Sequence, residues 1–126
     1  MTMLRLAALA IAVLIGGWLM FDGSRALIVG DYVTPRSGSS AGQLGPWSHV
    51  ISALGFEPRS TAIKCLHVVL GLLWLGAAVC FQRSPSSGWV ALLITSICTL
   101  WYLPIGTVLS VAELALLLLP SIRCLK

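Results

Sequence analysis

Charged side chains are scarce in this sequence. Only 10% of its 126 residues are Asp, Glu, Lys or Arg, whereas soluble domains carry about 25%. Apolar residues make up 58% of the chain, and its mean hydropathy is +0.98. This composition excludes a water-soluble globule. A helix needs about 20 residues to cross a bilayer, so four crossings take roughly 80 residues and leave no room for a multidomain enzyme.

Catalytic, metal-binding and glycosylation motifs are also missing. The chain has no H-E-x-x-H and no nucleophile–base pair, and its one G-x-S-x-G match, at 38–42, falls in a Gly/Ser-rich linker rather than at a strand-to-helix turn. It contains no Asn, which excludes N-glycosylation. A haem held by two histidines is disfavoured, because His49 falls in a surface segment and His67 stands alone. We therefore expect no enzymatic activity, no catalytic residues, no metal and no cofactor.

Cysteines and basic residues are scattered rather than clustered. The four cysteines form no C-x-x-C motif and no metal-like spacing, so we interpret them as packing residues. The absence of any Lys/Arg run argues against a surface that follows nucleic-acid phosphates. Instead, the basic residues alternate with apolar blocks, as membrane topology requires. They are Arg5, Arg25, Arg36, Arg59, Lys64, Arg83, Arg123 and Lys126.

Four apolar blocks predict helices in a membrane. The first reaches Phe21, and no A-x-A cleavage pattern stands at its end before Asp22, so we expect a retained span rather than a cleaved signal peptide. Its helix can continue to Val29 and stop at Gly30, and Ser60 or Thr61 can cap the second helix. We predict an all-α integral membrane protein, a four-transmembrane-helix bundle formed by one domain over 1–126. The spans are about 3–21, 61–82, 88–103 and 104–119.

The stretch from 88 to 119 permits two interpretations. As one helix of about 32 residues it would be roughly 48 Å long, well beyond the ~30 Å of bilayer hydrocarbon. Trp101 and Tyr102, just before Pro104, fit an aromatic pair at the membrane edge. We therefore predict two antiparallel spans of about 16 residues, at the lower limit for crossing. A single helix kinked at Pro104, giving three spans in all, is the open alternative.

The long connection over 22–60 is expected to hold a short amphipathic helix at about 46–54. Its apolar residues recur at helical spacing, and Gly55 follows as a stop signal. Such a helix either lies in the membrane interface or caps the mouth of the bundle. The stripe consists of Trp47, Val50, Ile51 and Leu54.

Basic residues near the span ends predict the orientation. With four spans, both termini and the connection at Arg83 share one side, which has four basic residues and no acid. The other side also has four, spread over a long loop with three acids. Because short flanks weigh more, we predict both termini in the cytoplasm, the long loop outside and a location in the bacterial inner membrane. Aromatic interfacial anchors are expected at Trp18, Trp47, Trp89, Trp101 and Tyr102.

Small residues predict where the helices approach one another. Helices in lipid gain no hydrophobic stabilisation from pairing, so close contact through small side chains has to hold them together. One such row lies on the first span, and single glycines lie on the second and fourth. These helix-packing residues are Ala8, Ala12, Gly16, Gly71 and Gly106.

Glu113 is the charged residue that lies well inside a predicted span. An ionised carboxylate there is costly, so a proton, a cation or a partner must neutralise it. One interpretation is a structural hydrogen bond between helices. The other is a polar track for protons or small cations, in which His67 titrates near neutral pH and lies about 7–8 Å from Glu113 in depth. The candidate track consists of Glu113, Ser110, Thr107, His67, Thr99 and Tyr102.

These patterns favour a non-enzymatic accessory or structural subunit. Its expected partners are the lipid bilayer and other membrane subunits or copies of itself, and nucleic acid is excluded. The alternative is a small oligomeric transporter or channel that uses Glu113. An enzyme acting on a lipid or quinone at the outer interface is a third, less favoured class.

Overall fold

The computed structural model describes residues 3–30, 47–102 and 105–120. Those ranges contain five helices and no strand, so the described part of the chain is all-helical, as predicted. Pro46, the first residue of the expected amphipathic helix, lies outside them, as do the termini and most of the first loop. The helices are α1 (Met3–Val29), α2 (Trp47–Ala53), α3 (Thr61–Arg83), α4 (Pro85–Cys98) and α5 (Ile105–Leu117).

Two of the described helices are long and apolar enough to cross a membrane, namely α1 with 27 residues and α3 with 23. At 1.5 Å per residue they are about 40 Å and 35 Å long. α1 continues past Phe21 to Val29 and stops at Gly30, whose φ of 109° suits glycine. α3 begins at the predicted cap, where the Ser60 hydroxyl accepts a hydrogen bond from the Ile63 amide at 3.4 Å.

α4 and α5 are separate helices that run antiparallel. The Trp89 indole N–H on α4 donates to the carbonyl of Leu117, the last residue of α5, at 2.7 Å. The alternative of one kinked helix over 88–119 is therefore wrong. With 14 and 13 residues, each helix is only about 20 Å long. Four membrane-length spans are thus not shown, since α4 ends at Cys98 instead of continuing to 103.

α1 and α3 pack closely in antiparallel directions through glycines. A β-carbon on Gly71 would lie 2.7 Å from the Gly16 carbonyl oxygen and 2.7 Å from the Met20 amide nitrogen. A β-carbon on Gly23 would lie 2.8 Å from the His67 β-carbon. Real side chains do not tolerate such distances, so these positions need glycine for the two backbones to meet.

Each long helix also has its C-terminus bound by a cation from the other. Arg5 on α1 donates to the carbonyls of Phe81 and Gln82 at 3.0 and 3.2 Å. Lys64 on α3 donates to the Gly30 carbonyl at 2.9 Å. These carbonyls belong to the helix ends, where no intrahelical donor remains. The two contacts fix the register of α1 against α3 at both ends of the pair.

The distribution of polar and apolar residues is the reverse of that in a soluble protein. Glu113, Ser110, Thr99 and His67 have no exposed surface, whereas large apolar side chains cover the outside of the helices. Leu14 on α1, for example, is 65% exposed. Contiguous apolar surface of this kind favours contact with lipid. With the two long helices it gives weak support for membrane association.

Candidate functional site

An aromatic cluster closes the end of the bundle where α3 begins. The Trp47 ring on α2 lies 4.7 Å from the His67 ring, 5.7 Å from Tyr102 and 6.0 Å from Trp101, between centroids. Trp47 is 5% exposed and Tyr102 4%. Both therefore lie inside the protein rather than at a lipid-facing edge, where the anchor prediction placed them. α2 covers the mouth of the bundle, which is one of its two predicted positions.

The apolar stripe predicted for α2 is only partly buried. Trp47 and Ile51 face the bundle, but Leu54 is 67% exposed and Ser48 is buried. Leu54 is exposed because α2 ends at Ala53, one residue before it. The Phe56 amide donates to the Ile51 carbonyl at 3.1 Å, and Gly55 has a φ of 92°. This arrangement reverses the chain after Ala53, so the fourth position of the stripe falls in the turn.

Asp22 belongs to the interior, although the sequence suggested the start of an outer loop. It is 3% exposed because α1 continues for seven residues beyond it. Its side chain hydrogen-bonds to Tyr102, whose hydroxyl also accepts from the Trp18 indole at 2.9 Å. A signal was present in the sequence, since Asp22 continues the three-to-four spacing of the buried face of α1. That face includes Ala8, Ala12, Ile15 and Leu19.

His67 is held at the centre of the aromatic cluster. Its Nδ1 lies 2.8 Å from the Ile63 carbonyl oxygen, and a carbonyl only accepts, so Nδ1 carries a proton. Tyr102 and Trp101 present ring edges to it at 5.4 and 5.7 Å. Within 3–30, 47–102 and 105–120, no group of three His, Cys, Asp or Glu side chains is placed to hold a metal ion.

Three hydroxyl groups at the C-terminal end of α4 bond to carbonyls of their own helix. Thr95, Ser96 and Thr99 donate to the carbonyls four residues earlier at 2.7, 2.7 and 2.8 Å. The Thr99 oxygen also accepts from the Trp74 indole at 3.0 Å, which connects α3 to α4. Thr99, a predicted member of the track, is therefore part of a structural contact between helices.

Ser110 and Glu113 share a buried face of α5. Neither has exposed surface, and three residues of separation places them on the same side of the helix. The Ser110 hydroxyl and both Glu113 carboxyl oxygens have no hydrogen-bond partner among the residues that the structure describes. Buried polar groups without partners cost about 1–3 kcal/mol each, and more when charged. Ser110 and Glu113 are therefore the strongest candidates for a site that binds a proton, a cation or another partner.

The structure separates the predicted track into two parts. Tyr102 packs on His67, and the Thr107 hydroxyl donates to a carbonyl in the turn that follows α4. Leu117 is bonded to Trp89 at the far end of α3, and helical rise then sets Glu113 about 15 Å from the level of His67.

The predicted packing residues face other helices. Ala8 and Ala12 have no exposed surface. Gly16 and Gly71 meet across the α1–α3 contact, and a β-carbon on Gly106 would collide with the Tyr102 side chain. These small residues are therefore used within one chain. Contact with a second chain therefore has to use other surfaces.

Sequence reasoning missed an outward-facing groove between α3 and α4. Its volume is about 320 Å³ and most of its surface is apolar. A β-carbon on Gly76 would touch nothing within 4 Å, so the groove is open at that point. In the sequence, the spacing of small residues along α3 and α4 was the signal that could have indicated this groove. The lining includes Gly76, Ala77, Cys80, Ala91, Thr95 and Cys98.

Comparison of the chain with family models, with curated proteins and with solved structures gave no match.

Proposed function

We propose that the protein is a non-enzymatic structural or accessory subunit of the membrane that packs against a second copy of itself. The observation that carries this proposal is the α3–α4 groove, with Gly76 on its floor and Leu73 and Ile94 at its edges. In lipid, helices associate where small residues let backbones approach closely. The predicted packing residues of α1, Ala8, Ala12 and Gly16, are already used inside the chain, whereas Gly76 and Cys98 of the groove are exposed.

A second copy is the occupant that fits this groove. A two-fold interface brings the same patch of both subunits together, so the patch must tolerate itself. The groove carries no charged side chain among its lining residues, so two copies do not repel each other there. The exposed side chain of Ile94, 56% accessible, forms an apolar ridge beside the open Gly76 position. We propose that this ridge enters the groove of the other copy.

The test compares two glycines at which a larger side chain meets no atom of its own chain. Gly76→Leu fills the groove, while Gly17→Leu on α1 is the matched control, because neither position has a neighbour within 4 Å. Both variants are purified in mild detergent and their mass is measured by light scattering. We expect a dimer for the wild type and for Gly17→Leu, and a monomer for Gly76→Leu. A wild type that is monomeric in detergent and in nanodiscs contradicts the proposal.

Native cysteines allow the same question to be asked in the membrane. Cys98 lines the groove and is exposed, so a variant that keeps Cys98 alone should form a disulfide-linked dimer under mild oxidation. The control keeps Cys65 alone, which is exposed near the start of α3 and outside the groove. Crosslinking through Cys65 but not Cys98 would place the interface elsewhere.

We further propose that all four of α1, α3, α4 and α5 lie in the bilayer of a bacterial inner membrane, with both termini in the cytoplasm. α4 and α5 are short for a bilayer, and the turn residues that follow each helix add to the length of chain that lies in it. Charge supports the orientation, because Arg5 binds the end of α3 beside Arg83. Basic residues of two segments therefore gather at one end, as the positive-inside rule expects of the cytoplasmic side.

A further inference from the structure

The Glu113 carboxyl is buried in the bundle, where its charge has to be neutralised. α5 packs against α4 and α1, which leaves Glu113 without exposed surface. Its two oxygens and the neighbouring Ser110 hydroxyl find no hydrogen-bond partner in the described part of the chain. In a bilayer such a group is expected to be neutralised, because an isolated carboxylate is strongly disfavoured in an apolar medium.

Side chains of the packed elements do not supply the neutralising charge. On α1, Arg5 is bound to the end of α3, and Asp22 is bonded to Tyr102 at the opposite end. Arg25 lies one turn beyond Asp22, further from Glu113 along α1. On α4 the titratable group is the Cys98 thiol, which is exposed on the groove. α5 itself carries no second ionisable residue.

The number of oxygen ligands distinguishes a proton from a metal cation. The site offers three oxygens, two from Glu113 and one from Ser110. Ca²⁺ takes 6–8 oxygen ligands and Mg²⁺ prefers an octahedron. The carbonyls of neighbouring helical turns are engaged in the helices, and the α4 hydroxyl hydrogens are committed to carbonyls. Three oxygens cannot replace a hydration shell, whereas one proton needs only a donor and an acceptor.

We propose that Glu113 is a reversible proton-binding site, in which the buried carboxyl takes up a proton in place of the missing partner. The inference goes beyond the proposed subunit role and does not depend on dimerisation. Thr107 lies one further turn along α5 and is partly exposed, with its hydroxyl donated to the Leu100 carbonyl. Thr107, Ser110 and Glu113 therefore follow one another along α5 from the α4–α5 turn into the bundle. Proton exchange takes place from that end.

Chemical labelling of the wild-type chain in membranes tests the proposal without any variant. Dicyclohexylcarbodiimide is apolar and reacts with protonated carboxyls. The acid adds across one N=C bond, its proton moves to nitrogen, and the acyl group then shifts from oxygen to nitrogen, giving a stable N-acylurea with no atoms lost. We expect mass spectrometry to find the adduct at Glu113 and not at the exposed Glu57. Raising the pH should abolish it, and Glu113→Gln should remove it.

Infrared spectroscopy gives a second measurement of the same group. We expect a protonated-carboxyl stretch that is absent from Glu113→Gln and retained in Ser110→Ala, because the Ser110 hydroxyl does not bond to the carboxyl. Three results overturn the proposal. They are equal labelling of Glu57 and Glu113, a carboxylate band at neutral pH in place of the acid band, and protection of Glu113 by Na⁺ at constant pH. The last result would identify a cation site instead.

Discussion

Substituting Gly71 by alanine tests the close contact between α1 and α3. The added β-carbon would lie 2.7 Å from two backbone atoms of α1, the Gly16 oxygen and the Met20 nitrogen. Backbone cannot move aside as a flexible side chain can, so the helices must separate. Overpacking of this kind costs about 1–3 kcal/mol. Against it stands the higher helix propensity of alanine, which contributes up to about 1 kcal/mol.

Gly17→Ala on α1, outside the α3–α4 groove, isolates the steric part. Nothing lies within 4 Å of its β-carbon position, so this variant receives the propensity gain alone. The difference in unfolding free energy between the two variants should therefore be roughly the overpacking cost of 1–3 kcal/mol. Unfolding of the detergent-solubilised protein by SDS, followed by tryptophan fluorescence, measures both values. Equal stabilities would refute the close helix contact on which the fold rests.

Two further outcomes follow from the site and from the topology. Tyr102→Phe removes a hydrogen bond from buried Asp22 and an acceptor from Trp18. We therefore expect the free energy of unfolding in the SDS assay to fall by about 1–3 kcal/mol. Trp18→Phe should lower it less, because the contact between Tyr102 and Asp22 is kept. For orientation, Ser39→Cys in a cysteine-free chain should react with an impermeant maleimide added outside intact cells, whereas labelling only after permeabilisation would invert the proposed topology.

Local signals were sufficient to predict most of the helices. Ser60 caps α3 because its side chain accepts from Ile63, which is a relation within three residues. Gly30 and Gly55 end α1 and α2 with positive φ, and glycine is the residue that adopts it without strain. Such features depend on neighbours in the sequence. A reader of the sequence alone can recover them.

Relations between helices were harder to predict. Asp22 is buried because Tyr102, eighty residues later, turns back onto α1. Trp47 is buried because α2 folds over the end of α3. The depth of Glu113 depends on where α5 meets α4, which the contact between Trp89 and Leu117 sets. Helical periodicity shows which residues share a face, but not which other helix covers that face.

If all four helices lie in the bilayer as proposed, their unequal lengths have a consequence for the surrounding lipid. α1 and α3 are about 40 Å and 35 Å long, while the helices of the α4–α5 hairpin are only about 20 Å long. A helix of fixed length cannot stretch, so the acyl chains must shorten and tilt beside the hairpin. The bilayer around such a molecule is thinner on one flank than on the other. Headgroups and water therefore come nearest to the midplane beside the hairpin that carries Glu113.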